Sequence, residues 1–309
     1  MAMKLFRIPT IIIFLATSVF YGCEKTINPE LKYAEPILVV DAWLNNKVEA
    51  QEIKLTKTQP YLENVLPTGV TGAQVSVSYD GGEIIFEEDA NEPGTYRWTP
   101  TQETSMDVFG VIGRKYQLTI QVDGETYEAT SKINRTVSID SISFKFEENS
   151  PFYPDNSYTA EFWAIDPVGS GDTYWIKGYK NGVLLNKPSE VKVAYDAAFS
   201  AGGNFDGVTF IPPIRSVNPD DVDANDMALS PYQPGDSLYM EICSTTLEAY
   251  NFLNEVIIQT DRPGGFGELF STPLANVSTN IVNKNPNGKK AVGFFNVSAV
   301  SGKGAKLVK

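Results

Sequence analysis

From Pro36 onward the chain is a succession of short runs in which apolar and polar residues alternate, cut by glycine, proline, asparagine and aspartate. Period-two alternation marks half-buried strands, because successive side chains leave a strand on opposite faces. Residues 37–44 form an apolar run ended by Asn45-Asn46. Further runs follow at 53–58, 75–79, 84–86, 95–99, 116–122 and 126–130. Asp80-Gly81-Gly82 and Asp123-Gly124 sit between paired runs and read as hairpin turns, where glycine accepts the positive φ that such turns require. Short strands at this spacing over residues 36–135 predict a β-sandwich with immunoglobulin-like connections.

A soft boundary at 134–140 precedes a second β-rich domain, expected over 136–309. Its strands are expected at 141–146, 158–164, 174–179, 183–185 and 236–243, with a closing strand at 291–299. One helix interrupts them at 245–260. Thr245 and Glu248 have capping-box spacing at its start, and its apolar residues cover most of its circumference, which predicts a buried helix. The fold class expected is therefore mainly β, with two β-sandwich-like domains, the first Ig-like and the second holding one buried α-helix.

Residues 196–236 break the strand pattern. They are rich in glycine and proline and are longer than an ordinary connection, and loops of that length serve as binding loops or lids. Phe199, Phe205, Phe210 and Tyr232 lie in this segment without a period that would bury them. They are the expected contact with a partner; the competing reading folds them back onto the second sheet. Asp221, Asp223 and Asn225 have the one-three-five spacing of a calcium loop, without its glycine or its final glutamate. A solvated acidic loop is the favoured reading over a calcium site.

The start of the chain has its own character. Lys4 and Arg7 precede an apolar stretch from Ile11 to Tyr21 that ends at Gly22-Cys23, and the polarity reverses at Glu24. This is the layout of a secretory signal. A cysteine directly after the small residue predicts a lipoprotein signal over 1–22, lipidation of Cys23 and a lipidated tether over 23–35. More than one acyl chain on one cysteine suffices for stable membrane attachment.

Composition narrows the chemistry. The chain has 25 basic and 38 acidic residues, a formal charge of −13, so phosphate backbones are repelled and nucleic acid is not an expected partner. Histidine is absent, which removes Ser-His-Asp triads, Cys-His dyads and His-ligated zinc from consideration. An enzyme would have to use a carboxylate pair, as glycoside hydrolases do, or a Ser-Lys arrangement. With Cys23 lipidated, Cys243 has no partner in the chain and reads as a core residue. No catalytic residue and no cofactor is expected.

The helix with its Ala249-Tyr250 step, the Asn280-Ile281 pair and the Gly293-Phe294-Phe295 strand, in that order behind Cys23 and an early apolar strand, resemble the DUF4249 family. This is a Bacteroidota family of outer-membrane lipoproteins with a domain of unknown function. The resemblance implies a lipid-anchored outer-membrane protein, expected to face the cell surface, often encoded beside a TonB-dependent receptor. It carries over no catalytic residue. The function expected is a non-enzymatic accessory or ligand-capture partner of such a barrel in uptake or outer-membrane assembly. A structural or adhesive surface module and a carboxylate-based glycoside hydrolase are the alternatives.

Overall fold

A computed structural model describes residues 34–308, with the exception of 61, 62, 64, 202 and 203. The expected signal peptide, Cys23 and nearly all of the tether lie outside the described residues.

The alternation is obeyed strand by strand. β1 (Leu38–Asn45) buries Leu38, Val40, Ala42 and Leu44, and β2 (Gln51–Lys57) buries Ile53 and Leu55. β3 (Gln74–Tyr79) and β4 (Gly82–Glu88) bury Val75, Val77, Ile84 and Phe86. β5 (Thr95–Trp98), β6 (Lys115–Val122) and β7 (Glu125–Lys132) complete the set. Their neighbour order is β1-β2-β5-β4 on one side and β4-β3-β6-β7 on the other, with β4 pairing to both. That is the strand order of immunoglobulin-type sandwiches. A second hallmark is present at the start of β6, where the Tyr116 hydroxyl donates to the Val108 carbonyl at 2.5 Å across the corner that joins the two sheets.

The connection from β5 to β6 holds a helix that the strand pattern does not reveal, α1 (Gln102–Phe109). The Thr101 hydroxyl accepts from the Thr104 amide, and the Thr104 hydroxyl accepts from the Thr101 amide, closing both ends of a cap. The helix buries Ser105, Val108 and Phe109 into the open end of the sandwich.

The second region begins with a hairpin, β8 (Ser141–Glu147) and β9 (Ser157–Trp163). It continues with β10 (Thr173–Lys180), β11 (Val183–Leu184), β12 (Lys192–Tyr195) and β13 (Ser237–Ser244). After the helix α2 (Leu247–Thr260) come β14 (Val282–Asn283), β15 (Ala291–Ser298) and β16 (Val300–Lys306). A five-stranded sheet runs β11-β10-β13-β16, with β12 also on β10. Its core, which includes Phe162, Tyr174, Phe210, Tyr232, Met240 and Ile242, lies between that sheet and the β8–β9 hairpin.

Division of the chain at 135/136 needs correction. β15 runs parallel to β1 in an eight-residue register from Leu38↔Ala291 to Asn45↔Ser298, and β14 pairs with β7. Ile281, Phe295 and Val297 therefore belong to the first core. The reason is the free edge of β1, whose unpaired amides and carbonyls are satisfied by the returning strand. Gly293 makes the approach possible: its φ is +98°, and a Cβ there would lie 1.9 Å from the Val40 carbonyl oxygen.

Only Ala299 separates β15 from β16, so one strand leaves the first sandwich and enters the second sheet. The crossing point is polar and buried. Asn296 accepts from the Thr246 amide at 3.2 Å and donates to Ser298 Oγ at 3.0 Å, and Ser244 Oγ accepts from the Ala299 amide at 2.9 Å. Lys47 reaches across from the β1–β2 turn to the buried Glu241 at 2.6 Å. Residues from Pro36 onward accordingly form one compact unit.

The helix differs from its expected form in two respects. Its N-cap is Thr246, which accepts from the Ala249 amide, because Thr245 is held by Thr173 and the end of β13. It buries Ala249, Tyr250 and Leu253 against the sheet, while Leu247 and Ile258 are half exposed. It is a surface helix with one packed stripe rather than a buried one.

Candidate interaction surface

The four aromatics expected at a partner surface have different fates. Phe210 and Tyr232 are fully buried. The Phe210 ring sits 5.5 Å from Phe162 and 5.6 Å from Tyr174, and the Tyr232 hydroxyl donates to the Val217 carbonyl at 2.7 Å. Phe205 is half-buried against the same core, and Phe199 alone is mostly exposed, at 51%. Phe210 and Tyr232 are therefore core residues and Phe205 leans on that core, which corrects their reading as partner contacts.

The cause is the free edge of β9. Phe162 N–H donates to the Arg215 carbonyl, Val217 N–H to Ala160, Phe210 N–H to Ala164 and Tyr232 N–H to Tyr158. The segment 196–236 thus runs beside the hairpin as an irregular further strand, and its apolar side chains enter the core that the hairpin alone leaves open.

The acidic run in this segment is a latch. Asp221 accepts from Lys187 at 2.6 Å, and Asp220 accepts from Ser189 Oγ at 2.6 Å. Asp223 accepts from the amides of Asn225 and Met227, which hold its carboxyl below the usual range. Asp221 is thus turned toward Lys187, and Asp223 is turned back onto the amides of its own turn, with Asn225 contributing its backbone.

Sequence spacing gave no sign of the acidic cluster that does converge among the described residues. Asp166, Asp172 and Asp196 each bring an oxygen within 4.8 Å of the others. Asp172 is clamped by Arg135 at 2.5 Å, Asp196 accepts from the amides of Gly171 and Asp172, and Asp166 accepts from the Tyr174 hydroxyl at 2.7 Å. Burial raises the Asp166 carboxyl above the usual carboxylate range, with Asp196 and Asp172 adding to the rise, and it pushes the Tyr174 phenol up as well. The cluster ties the 165–172 turn to the start of the 196–236 segment.

The exposed apolar surface lies elsewhere, directly after α2. A 3-10 turn, Gly265–Phe270, contains no buried residue. Phe266, Leu269 and Phe270 are 78%, 75% and 79% exposed, and Leu274 and Ile258 are exposed as well. The segment is nevertheless held in shape. Gly264 and Gly265 take positive φ to turn the chain, and Arg262 bonds Glu268 and the Thr272 carbonyl. The Ala275 amide donates to Gln259 Oε1 at 2.9 Å and the Ser278 amide to Glu255 Oε2 at 2.5 Å, so both side-chain anchors come from α2. Large apolar side chains held outward on a fixed frame are unusual on a soluble surface and mark contact sites. In the sequence these residues stand as Phe266-Gly267-Glu268-Leu269-Phe270, a cluster with neither strand nor helix period directly behind the Asp261–Gly265 helix stop, and the pattern alone assigns them no role.

A groove of about 860 Å³ opens on the outer face of β6 and β7, with Thr246 and Glu248 from the start of α2 also in its wall. Tyr79, Arg114, Lys115, Gln117, Thr130 and Lys132 are in its wall. Arg114 is occupied by structure: it donates to the Val108 carbonyl, lies 2.8 Å from Asp80 and sits over the Tyr79 ring.

No curated protein matches this sequence. A family model does, that of a domain of unknown function, DUF4249, over residues 24–303. The match takes in both sheets, the 196–236 segment, the exposed turn after α2 and the returning strand β15, and the chain belongs to the DUF4249 family.

Proposed function

We propose that this protein is a non-enzymatic accessory lipoprotein of the outer membrane, anchored through Cys23, that docks onto a TonB-dependent barrel through the segment after α2. The observation that carries the reading is the outward trio Phe266, Leu269 and Phe270 on a hydrogen-bonded frame. The occupant is a protein rather than a lipid surface. Residues 263–283 contain no lysine or arginine and the chain is strongly acidic, whereas segments that lie on anionic bilayers carry basic residues among their apolar ones. An apolar cleft on a partner satisfies this segment, and the Cys23 anchor would supply such a cleft at the membrane at high local concentration. The absence of histidine, together with a carboxylate cluster already engaged by Arg135, Tyr174 and backbone amides, supports a binding role over a catalytic one.

The test is purification from native membranes. The wild type is expected to bring down a TonB-dependent barrel, identified by mass spectrometry. The variant F266S/L269S/F270S is expected to lose it while keeping the wild-type melting temperature. Full recovery with the variant would remove the segment as the interface, and no barrel with the wild type would remove the accessory reading.

A further inference from the structure

The groove over β6 and β7 carries an arrangement that folding alone does not favour. Lys115 and Lys132 are directly opposed across the two strands, and both point out of the sandwich into the groove. Like charges directly opposite on one face destabilise a sheet pair. Neither lysine has a carboxylate within ion-pair distance among the described residues, although the chain has an excess of acids that could serve. The contrast lies along the same strands: Glu128, outward on β7, is matched by Lys284 at 3.1 Å.

The next outward rung is polar and neutral. Gln117 and Thr130 are directly opposed, and neither side chain has a hydrogen-bond partner among the described residues. Two successive outward rungs of a strand pair lie about 7 Å apart. The groove therefore presents two ammonium groups beside a free carboxamide and a free hydroxyl, over a span of roughly one to two sugar rings; of the two carboxylates that also line it, Asp80 is neutralised by Arg114 and Glu248 stands on the α2 side. Arg114 and Tyr79 form a fixed side wall.

We infer that this groove binds an acidic oligosaccharide, with Lys115 and Lys132 receiving a uronate carboxylate and Gln117 and Thr130 receiving ring hydroxyls. An anion between the two lysines removes their repulsion and gains charge-assisted hydrogen bonds. The inference is independent of the docking segment, which shares no residue with the groove.

Titration calorimetry on the purified protein tests it, with oligogalacturonate as probe, a neutral malto-oligosaccharide and inorganic phosphate as controls. Oligogalacturonate should bind, and weaken as salt rises. K115Q/K132Q should weaken it by more than about tenfold, the loss of two charged contacts. K132E should abolish binding and raise the melting temperature of the free protein, because it turns a repulsive pair into an attractive one; a merely structural pair would not couple these two readouts. Q117A/T130A, with both lysines intact, should weaken the oligosaccharide and leave phosphate unchanged. Absence of oligogalacturonate binding, binding unaffected by K115Q/K132Q, or phosphate and malto-oligosaccharide binding as tightly as oligogalacturonate would each overturn the inference.

Discussion

Two segments of this protein share a composition and have opposite fates. Residues 196–236 and the stretch after α2 are both irregular, rich in glycine and proline, and dotted with aromatics. In the first, Phe210 and Tyr232 are fully buried; in the second, Phe266 and Phe270 are more than three-quarters exposed. The difference lies in what each runs beside. The first passes along the free edge of β9, gains backbone hydrogen bonds along it and turns its side chains into an unfinished core. The second is braced by α2 through side chains alone and has no core beneath it. An aromatic in a loop is thus a structural or a contact residue according to the edge its backbone finds, and composition does not distinguish the cases.

Four outcomes would break or sharpen that contrast. Phe210→Ala should cost the fold about 3–5 kcal/mol in denaturant titration, the range for removing a large buried aromatic. A cost under about 1 kcal/mol, the size of surface effects, would mean the segment does not complete the core. Tyr232→Phe keeps the ring and strands the Val217 carbonyl; a loss of about 1–2 kcal/mol is expected, read as a shift in the urea midpoint. Asp166 joins the first segment to the core, since its carboxyl accepts from the Gly207 amide and its own amide donates to Val208. Burial raises its folded pKa above its unfolded value. Its contribution to stability is therefore complete below the ordinary aspartate range and is lost as pH rises through the folded value. Asp166→Asn should remove this slope from the stability-against-pH curve, and a curve parallel to the wild type would contradict the assignment. The smallest effect belongs to the second segment: F266S/L269S/F270S should move stability by less than about 0.5 kcal/mol, as exposed positions do. A larger loss would show that these side chains are packed after all.

Much of this architecture was legible. The first sandwich could be read because each strand of it carries one buried face, and the alternation at Val75, Val77, Leu118 and Ile120 reports that directly. α1 escaped because eight residues give little period and its cap is a Thr-Thr pair rather than the usual Thr-Glu. The return of β15 to β1 escaped for a different reason: a strand's sequence states that it is buried, not which edge it joins. Gly293 is the trace it leaves, a glycine where a side chain would meet Val40. The same limit explains Phe210 and Tyr232, whose burial depends on a distant edge, and the convergence of Asp166, Asp172 and Asp196 from separate turns. The stretch after α2 was not singled out in the sequence at all: five residues hold two phenylalanines and a leucine with no period to bury them, and their exposure could be judged only once the neighbouring core was known.

The claim that the stretch after α2, and not the 196–236 segment, meets the partner can be tested by photo-crosslinking in intact cells. A photoreactive phenylalanine analogue would replace Phe270 in one strain and Phe199, the exposed aromatic of the other segment, in a second. The account predicts a crosslink to a large barrel protein from position 270 and none from position 199. A crosslink from position 199 alone, or lipid adducts alone from position 270, would contradict it.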